Sequence, residues 1–144
     1  MLLNLVPNAT QLQAMFAQAA APAFLLAAIA AFISILMART AALMAQIRGL
    51  SEIPDSDPVR TKLKDEIPHL KRRAFLLHRA AYLGLLAGIA TACLLVLMSL
   101  YTFFGVERMY GAGFLFAVAV GLFISSLFNF AMEVRVALRE LHQL

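Results

Sequence analysis

Apolar residues are gathered into three long runs that contain no charged side chain, at residues 1–38, 80–106 and 109–132. Each run holds at least about 20 mostly apolar residues, enough for a helix to cross a hydrocarbon core ~30 Å thick. Because apolar and polar residues do not alternate with a period of two, helices are favoured over the strands of a membrane barrel. The pattern predicts an all-α integral membrane fold with transmembrane helices at residues 19–38, 80–104 and 111–132.

The segment between the first two spans, residues 39–79, places apolar residues at alternating steps of four and three, which is typical of a packing seam. The seam residues are Leu36, Thr40, Leu43, Ile47 and Leu50 in the first half, and Leu63, Ile67, Leu70, Ala74, Leu77, Ala81, Gly84 and Gly88 in the second. An antiparallel helical hairpin is therefore predicted, with Gly49 ending its first helix and Asp57-Pro58 beginning its second. Pro68 is expected to kink that second helix, and a full break that leaves residues 58–67 as a separate short helix is the alternative.

The N-terminal stretch, residues 8–20, is uncharged and amphipathic, with Leu12 and Phe16 on one helical face. Asn8 and Gln11 stand at the spacing of a capping box. This stretch is interpreted either as a separate amphipathic helix in the outer interface, joined to the span at Pro22, or as a direct extension of the first span.

The basic residues are sorted to one side of the three spans. Nine of the twelve Lys and Arg lie in residues 39–79 and two lie in the tail, residues 133–144, whereas the outer turn at residues 105–110 has only Arg108. By the positive-inside rule, the long segment and the C-terminus are cytoplasmic and the N-terminus is outside. Tyr101 and Tyr110 flank the outer turn, where aromatic rings favour the headgroup level. The net charge of +4 therefore reflects membrane topology within a single domain of residues 1–144.

Side chains that carry chemistry are scarce. No span contains Asp, Glu, Lys, Arg or His, which counts against proton-driven transport. The histidines (His69, His78 and His142) form no i, i+4 pair, and Cys93, the single cysteine, is interpreted as an inert packing residue. Since no phosphate-binding loop or hydrolase motif occurs either, no catalytic, cofactor-binding or metal-binding residue is predicted, and we expect that the protein is not an enzyme.

Small residues recur at every fourth position on two of the predicted helices. They are Gly84 and Gly88 on the second span, with Ala80 and Ala92, and Gly113, Ala117 and Gly121 on the third, followed by Ser125 and Asn129. Small residues let helix backbones approach closely in lipid, so both rows are candidates for helix packing or oligomerisation. We expect one row to pack inside the chain and the other to pack between subunits; packing of both rows inside one chain is the alternative.

A polar strip follows the third row, formed by Ser125, Asn129 and Glu133. One interpretation is contact between helices, in which Glu133 pairs with a basic residue such as Arg39. The alternative is an oligomeric channel or pore that this strip lines, because three helices alone cannot enclose a water-filled path.

Four basic residues (Lys71, Arg72, Arg73 and Arg79) cluster where the second span enters the membrane. Each cation near an anionic leaflet gains roughly 1 kcal/mol, so these side chains are predicted to bind anionic lipid headgroups on the cytoplasmic side. Nucleic acid is not an expected partner, because five acidic residues are interspersed through residues 39–79 and no aromatic platform accompanies the cations.

Four short segments of the chain carry a resemblance: Ala21-Pro22-Ala23, Arg39 followed by residues 46–50, residues 71–80, and residues 133–139. They resemble a family of small bacterial membrane proteins, the domain-of-unknown-function family numbered twenty-seven twenty-one. The resemblance implies three spans and an inner-membrane location, and it supplies no activity. The small-residue rows, the seam and the absence of ionisable residues from the spans favour a homo-oligomeric scaffold or a small accessory subunit of a membrane complex, so the expected partner is a second copy or another membrane protein.

Overall fold

The computed structural model describes residues 8–54, 56, 58–104 and 110–141, and these are almost entirely helical. The elements are α1 (Ala9–Ser51), the short α2 (Pro58–Thr61), a 3-10 segment (Lys62–Glu66), α3 (Ile67–Phe104) and α4 (Tyr110–Leu141). Three stretches are long and apolar enough to cross a membrane: Ala9–Ser51, Lys62–Phe104 and Tyr110–Arg139. The prediction of an all-α fold with three helices long and apolar enough to cross a membrane is confirmed. The expectations for Asp57, Arg108 and His142 lie outside the described residues.

The first helix, α1, is one continuous helix of 43 residues. It begins where the capping pattern predicts, since the Asn8 backbone N–H donates to Gln11 Oε1 at 3.1 Å. Residues 8–20 are not a separate amphipathic element, because the helix continues through the buried Pro22. At its other end α1 reaches Ser51, two residues beyond the expected stop at Gly49. The N-terminal stretch is therefore a direct extension of the first long helix, as the second of the two interpretations predicts.

Pro68 lies in the first turn of α3, directly after the 3-10 segment, so the α-helical hydrogen-bond pattern is interrupted at this point, and the predicted kink stays a prediction. The residues before it form the 3-10 segment, in which the Ile67 backbone N–H donates to the Lys64 carbonyl. That carbonyl would have accepted from residue 68 in an α-helix, but proline has no N–H and its ring crowds the acceptor. The tighter i→i+3 pattern satisfies the carbonyl from one residue earlier. The seam consequently begins near Ile67, and Leu63 is 44 % exposed.

Helices α1 and α3 run in opposite directions against each other. Position Gly88 lies against Ile29, and Gly84 lies against Ile33, so the numbers fall along one helix as they rise along the other. A continuous cluster of buried residues joins the two helices: Phe32, Leu36, Leu43, Leu70, Ala74, Leu77, Ala80 and Ala81. This cluster confirms the seam that the spacing of apolar residues predicts.

Helix α3 packs closely against both other long helices because its buried side is mostly small. Its buried residues include Ala80, Ala81, Gly84 and Ala87. Helices α1 and α4 contact each other through larger groups, since the Phe32 ring meets the rings of Phe123 and Phe130 edge to face, at 5.7 and 5.4 Å between centroids. The bundle is thus held by close backbone approach on one side and by aromatic packing on the other.

A buried hydrogen bond also links α3 and α4, from the Ser126 hydroxyl to the Ala80 carbonyl. Replacing Ser126 by alanine is expected to lower the free energy of unfolding by about 0.6 kcal/mol and at most about 1.7 kcal/mol, the range for such contacts in membrane proteins. Ser125→Ala is the matched control, because the exposed Ser125 hydroxyl donates to the Gly121 carbonyl of its own helix. Unfolding in mild detergent measures both variants, and equal stabilities would contradict the assignment.

Candidate functional site

A buried carboxylate lies where three helix segments meet: the C-terminal part of α1, the N-terminal part of α3 and the C-terminal part of α4. We call this region the basic end. Glu133 of α4 is fully buried there. Arg39 of α1 donates through Nη1 to Glu133 Oε2 at 3.1 Å. Arg73 of α3 donates through Nε and Nη2 to Oε1, at 3.1 and 3.0 Å. Each helix therefore contributes one member to a three-residue ion cluster.

The hydrogen bonds of this cluster compensate the negative charge of Glu133, which would otherwise be costly to bury. Both oxygens of Glu133 accept charge-assisted hydrogen bonds, which are roughly twice as strong as neutral ones. The Arg39 guanidinium also lies 5.3 Å from the centroid of the Phe130 ring, one turn before Glu133 on α4. Arg73 is the less exposed of the two arginine side chains, at 16 % against 39 %. The cluster therefore fixes the relative positions of the three helices at this end.

The predicted pairing of Glu133 with Arg39 is confirmed. Arg73 was predicted to bind lipid headgroups, and its pairing with Glu133 was not predicted. A signal for it is present in the spacing: Arg39 stands three residues after Leu36 and four before Leu43, and Arg73 stands likewise between Leu70 and Leu77. Both arginines thus lie beside the seam, three and four residues from its leucines and therefore on the same side of the helix.

Three of the four small residues of the α3 row, Ala80, Gly84 and Gly88, lie inside the bundle, and Ala92 is exposed. A Cβ atom added to Gly84 would lie 3.3 Å from Ser126 Oγ of α4 and 3.4 Å from Ile33 Cγ1 of α1. At Gly88 the nearest atom would be Ile29 Cγ2, at an ordinary contact distance of 3.6 Å. Gly84 is therefore a position where α3 is in close contact with both other long helices.

The small residues of α4 face away from the rest of the chain. A Cβ atom added to Gly113 or Gly121 would meet nothing within 4 Å, and Ala117 between them is exposed. Exposed aromatic side chains, Phe114 and Phe128, stand along the same helix. This row leaves a shallow, unpartnered strip on the apolar surface of the single chain.

The three residues of the polar strip do not share one environment. Ser125 is exposed and donates to the Gly121 carbonyl at 2.9 Å, and Asn129 Nδ2 donates to the Ser125 carbonyl at 2.8 Å. Both hydrogen bonds stay within α4, whereas Glu133 points into the bundle toward the two arginines. Ser125 and Asn129 therefore continue the small-residue row, and Glu133 belongs to the ion cluster.

The other residues with candidate chemistry lie on the surface. Lys71, Arg72 and Arg79 are exposed, in contrast to Arg73. Cys93 is also exposed, so it does not pack inside the bundle of the single chain. Within residues 8–54, 56, 58–104 and 110–141, no three His, Cys, Asp or Glu side chains are grouped so that they could hold a metal ion.

Residues 19–143 match the model of a family described as protein of unknown function, DUF2721. The chain belongs to this family. The match includes Arg39, Arg73 and Glu133, and it confirms the resemblance carried by the charged segments around them. No curated protein and no solved structure matches the chain. The description of the DUF2721 family names no activity.

Proposed function

We propose that this DUF2721 protein is a non-enzymatic inner-membrane protein that acts as a homo-oligomeric scaffold or as a small accessory subunit of a membrane complex. One observation carries the proposal: the row of small residues on α4 (Gly113, Ala117 and Gly121) faces outward with nothing against it. The partner on that strip is a second copy of α4, or a similar helix of another membrane protein.

The physical reason is that helices in lipid gain little from burying apolar surface, because the acyl chains are as apolar as the side chains. Association depends instead on close packing, which small residues permit. The chain already uses one such row for its own α3 packing, at Gly84 and Gly88. The second row supports the same mode of packing between chains.

The proposed orientation follows from the charges. Nine of the twelve Lys and Arg belong to residues 39–79, so the basic end faces the cytoplasm and the N-terminus is outside. At its rise per residue, the 43-residue α1 is roughly 65 Å long, about twice the hydrocarbon thickness. The C-terminal part of α1 and the N-terminal part of α3 would then form a cytoplasmic hairpin, with Lys71, Arg72 and Arg79 at the level of anionic lipid headgroups.

Replacing Gly121 by leucine tests the self-association. The added side chain has open space in the single chain, so the fold and its stability are expected to be retained. It blocks close approach of a second helix, so the oligomer mass measured by light scattering in mild detergent is expected to fall to that of the monomer. Ala31→Leu is the matched control: Ala31 is exposed near the middle of the first span, and its replacement is expected to leave the oligomer intact.

An unchanged oligomer in the Gly121→Leu protein, or a wild type that is monomeric in several mild detergents and has no cross-linked partner in native membranes, would contradict the proposal. The alternative of a pore lined by Ser125, Asn129 and Glu133 has less support, since Glu133 is enclosed by Arg39 and Arg73. Solute flux through reconstituted protein that disappears in Asn129→Leu would favour the pore instead.

A further inference from the structure

A groove of about 1130 Å³ opens at the basic end, between the ends of α1, α3 and α4. Its charged lining is dominated by arginines from all three helices, with a single carboxylate among them. These residues are Arg39, Arg72, Arg73, Arg135, Arg139 and Glu66. Such a concentration of guanidinium groups repels itself unless an anion lies between them, and guanidinium groups match phosphate oxygens in geometry.

Two of these arginines have a partner and three have none within the described residues. Arg39 and Arg73 are tied to the buried Glu133, so they form a fixed inner wall. Arg72, Arg135 and Arg139 are exposed, and in the part of the chain that the structure describes they make no ion pair or side-chain hydrogen bond. Arg135 and Arg139 are four residues apart and share one face of α4. The groove thus presents three available cations.

The groove also has an apolar wall, formed by Leu70, Met132, Val136 and Ala137, and Met132 is the last residue of the uncharged third run. Two uncharged polar side chains, Gln46 and His69, complete the polar part of the lining. A groove with a cationic wall and an apolar wall at the end of a membrane span suits a ligand that is itself divided into a phosphate group and a hydrocarbon part. A small soluble anion would leave the apolar wall unused.

We propose that this groove binds the phosphate headgroup of an anionic phospholipid, with Arg72, Arg135 and Arg139 on the phosphate oxygens and an acyl chain along Met132 and Val136. Three cations exceed what one phosphate diester needs, and the groove volume is slightly above the range of about 300–1,000 Å³ that is usual for ligand sites. A lipid with two phosphates is therefore the preferred ligand. The inference rests on the proposed cytoplasmic placement of the basic end and is independent of self-association.

This site differs from the surface cluster that the sequence predicts. Lys71 and Arg79, which belong to that cluster, do not line the groove, and Arg135 and Arg139 of α4 replace them. The two sets of residues have the same charge and lie within the same region of the chain. They therefore form a matched pair for distinguishing a defined site from general attraction to an anionic surface.

Native mass spectrometry of the full chain in a neutral detergent, titrated with lipid, tests the proposal. We expect cardiolipin to bind more tightly than phosphatidylglycerol, and phosphatidylcholine to show no specific adduct. In Arg135→Gln/Arg139→Gln, cardiolipin binding is expected to weaken about 25-fold, from roughly fivefold for each cation lost. Lys71→Gln/Arg79→Gln should bind like the wild type. Circular dichroism melting checks that both variants remain folded.

Three results would overturn the proposal: equal weakening in both double variants, no weakening in Arg135→Gln/Arg139→Gln, or displacement of cardiolipin by an equal concentration of inorganic pyrophosphate. The last result would assign the groove to a soluble phosphate. The same spectra report the oligomer mass, so loss of lipid from an intact oligomer and loss of the oligomer with lipid retained are distinguished directly.

Discussion

The Glu133→Ala protein is expected to be about 3–5 kcal/mol less stable than the wild type, because removing one partner of a buried ion cluster leaves the others uncompensated. Arg73 would lose both hydrogen bonds that its guanidinium donates to Oε1, and Arg39 would lose its bond to Oε2. Glu133→Gln keeps the shape and one acceptor oxygen, so an intermediate loss is expected. Denaturant unfolding in mild detergent, followed by circular dichroism, measures these differences.

A compensated variant separates loss of charge pairing from loss of packing. Replacing all three members by apolar residues of similar size, as Glu133→Leu with Arg39→Met and Arg73→Met, is expected to restore most of the stability, since the desolvation cost and the attraction are removed together. If Glu133→Ala unfolded like the wild type, the cluster would have no part in holding the helices. If the triple variant were as unstable as Glu133→Ala, the unpaired arginine charges would not be the cause of the loss.

Gly84→Leu is expected to lower stability by at least about 1–3 kcal/mol, the cost of overpacking a well-filled core. A single Cβ atom at this position already reaches 3.3 Å from Ser126 Oγ and 3.4 Å from Ile33 Cγ1. The remaining carbons of leucine have to push α1 or α4 away from α3, which also strains the hydrogen bond from Ser126 to Ala80. Thermal unfolding and the yield of folded protein in mild detergent measure the effect.

Gly113→Leu is the matched control for this prediction, because nothing lies within 4 Å of its added Cβ atom. Its stability is expected to equal that of the wild type, and Gly88→Ala, with an ordinary 3.6 Å contact, should also be tolerated. Equal losses of stability in Gly84→Leu and Gly113→Leu would contradict the structure, in which Gly84 lies inside the bundle and Gly113 lies on its surface.

Much of this fold follows from local rules that a single sequence carries. The spans follow from the lengths of the uncharged runs, the antiparallel seam follows from the spacing of Leu36, Leu43, Leu70 and Leu77, and the start of α1 follows from Asn8 and Gln11. Pro68 was harder to place. Its missing N–H is equally compatible with a kink or with a new helix start, and the choice depends on whether the Lys64 carbonyl finds another donor.

The candidate sites were less accessible to sequence reasoning because they depend on how three helices are rotated against one another. The pairing of Glu133 with Arg39 could be predicted from charge and membrane depth, and the position of Arg73 beside the seam also pointed to the bundle. The arginine-lined groove could not be predicted. Arg72 and Arg139 are far apart in the chain, and only the crossing of α3 and α4 brings them to one cavity.

Self-association or membership of a complex is measured by native mass spectrometry of the protein, extracted from its own membrane with a mild detergent. We expect a mass that contains two or more copies of the 15.7 kDa chain, or one copy with a larger membrane partner. We also expect Gly121→Leu to reduce this mass to the single chain while the helix content is unchanged. A single chain that carries only lipid in the wild-type sample would show that the protein neither self-associates nor joins a complex.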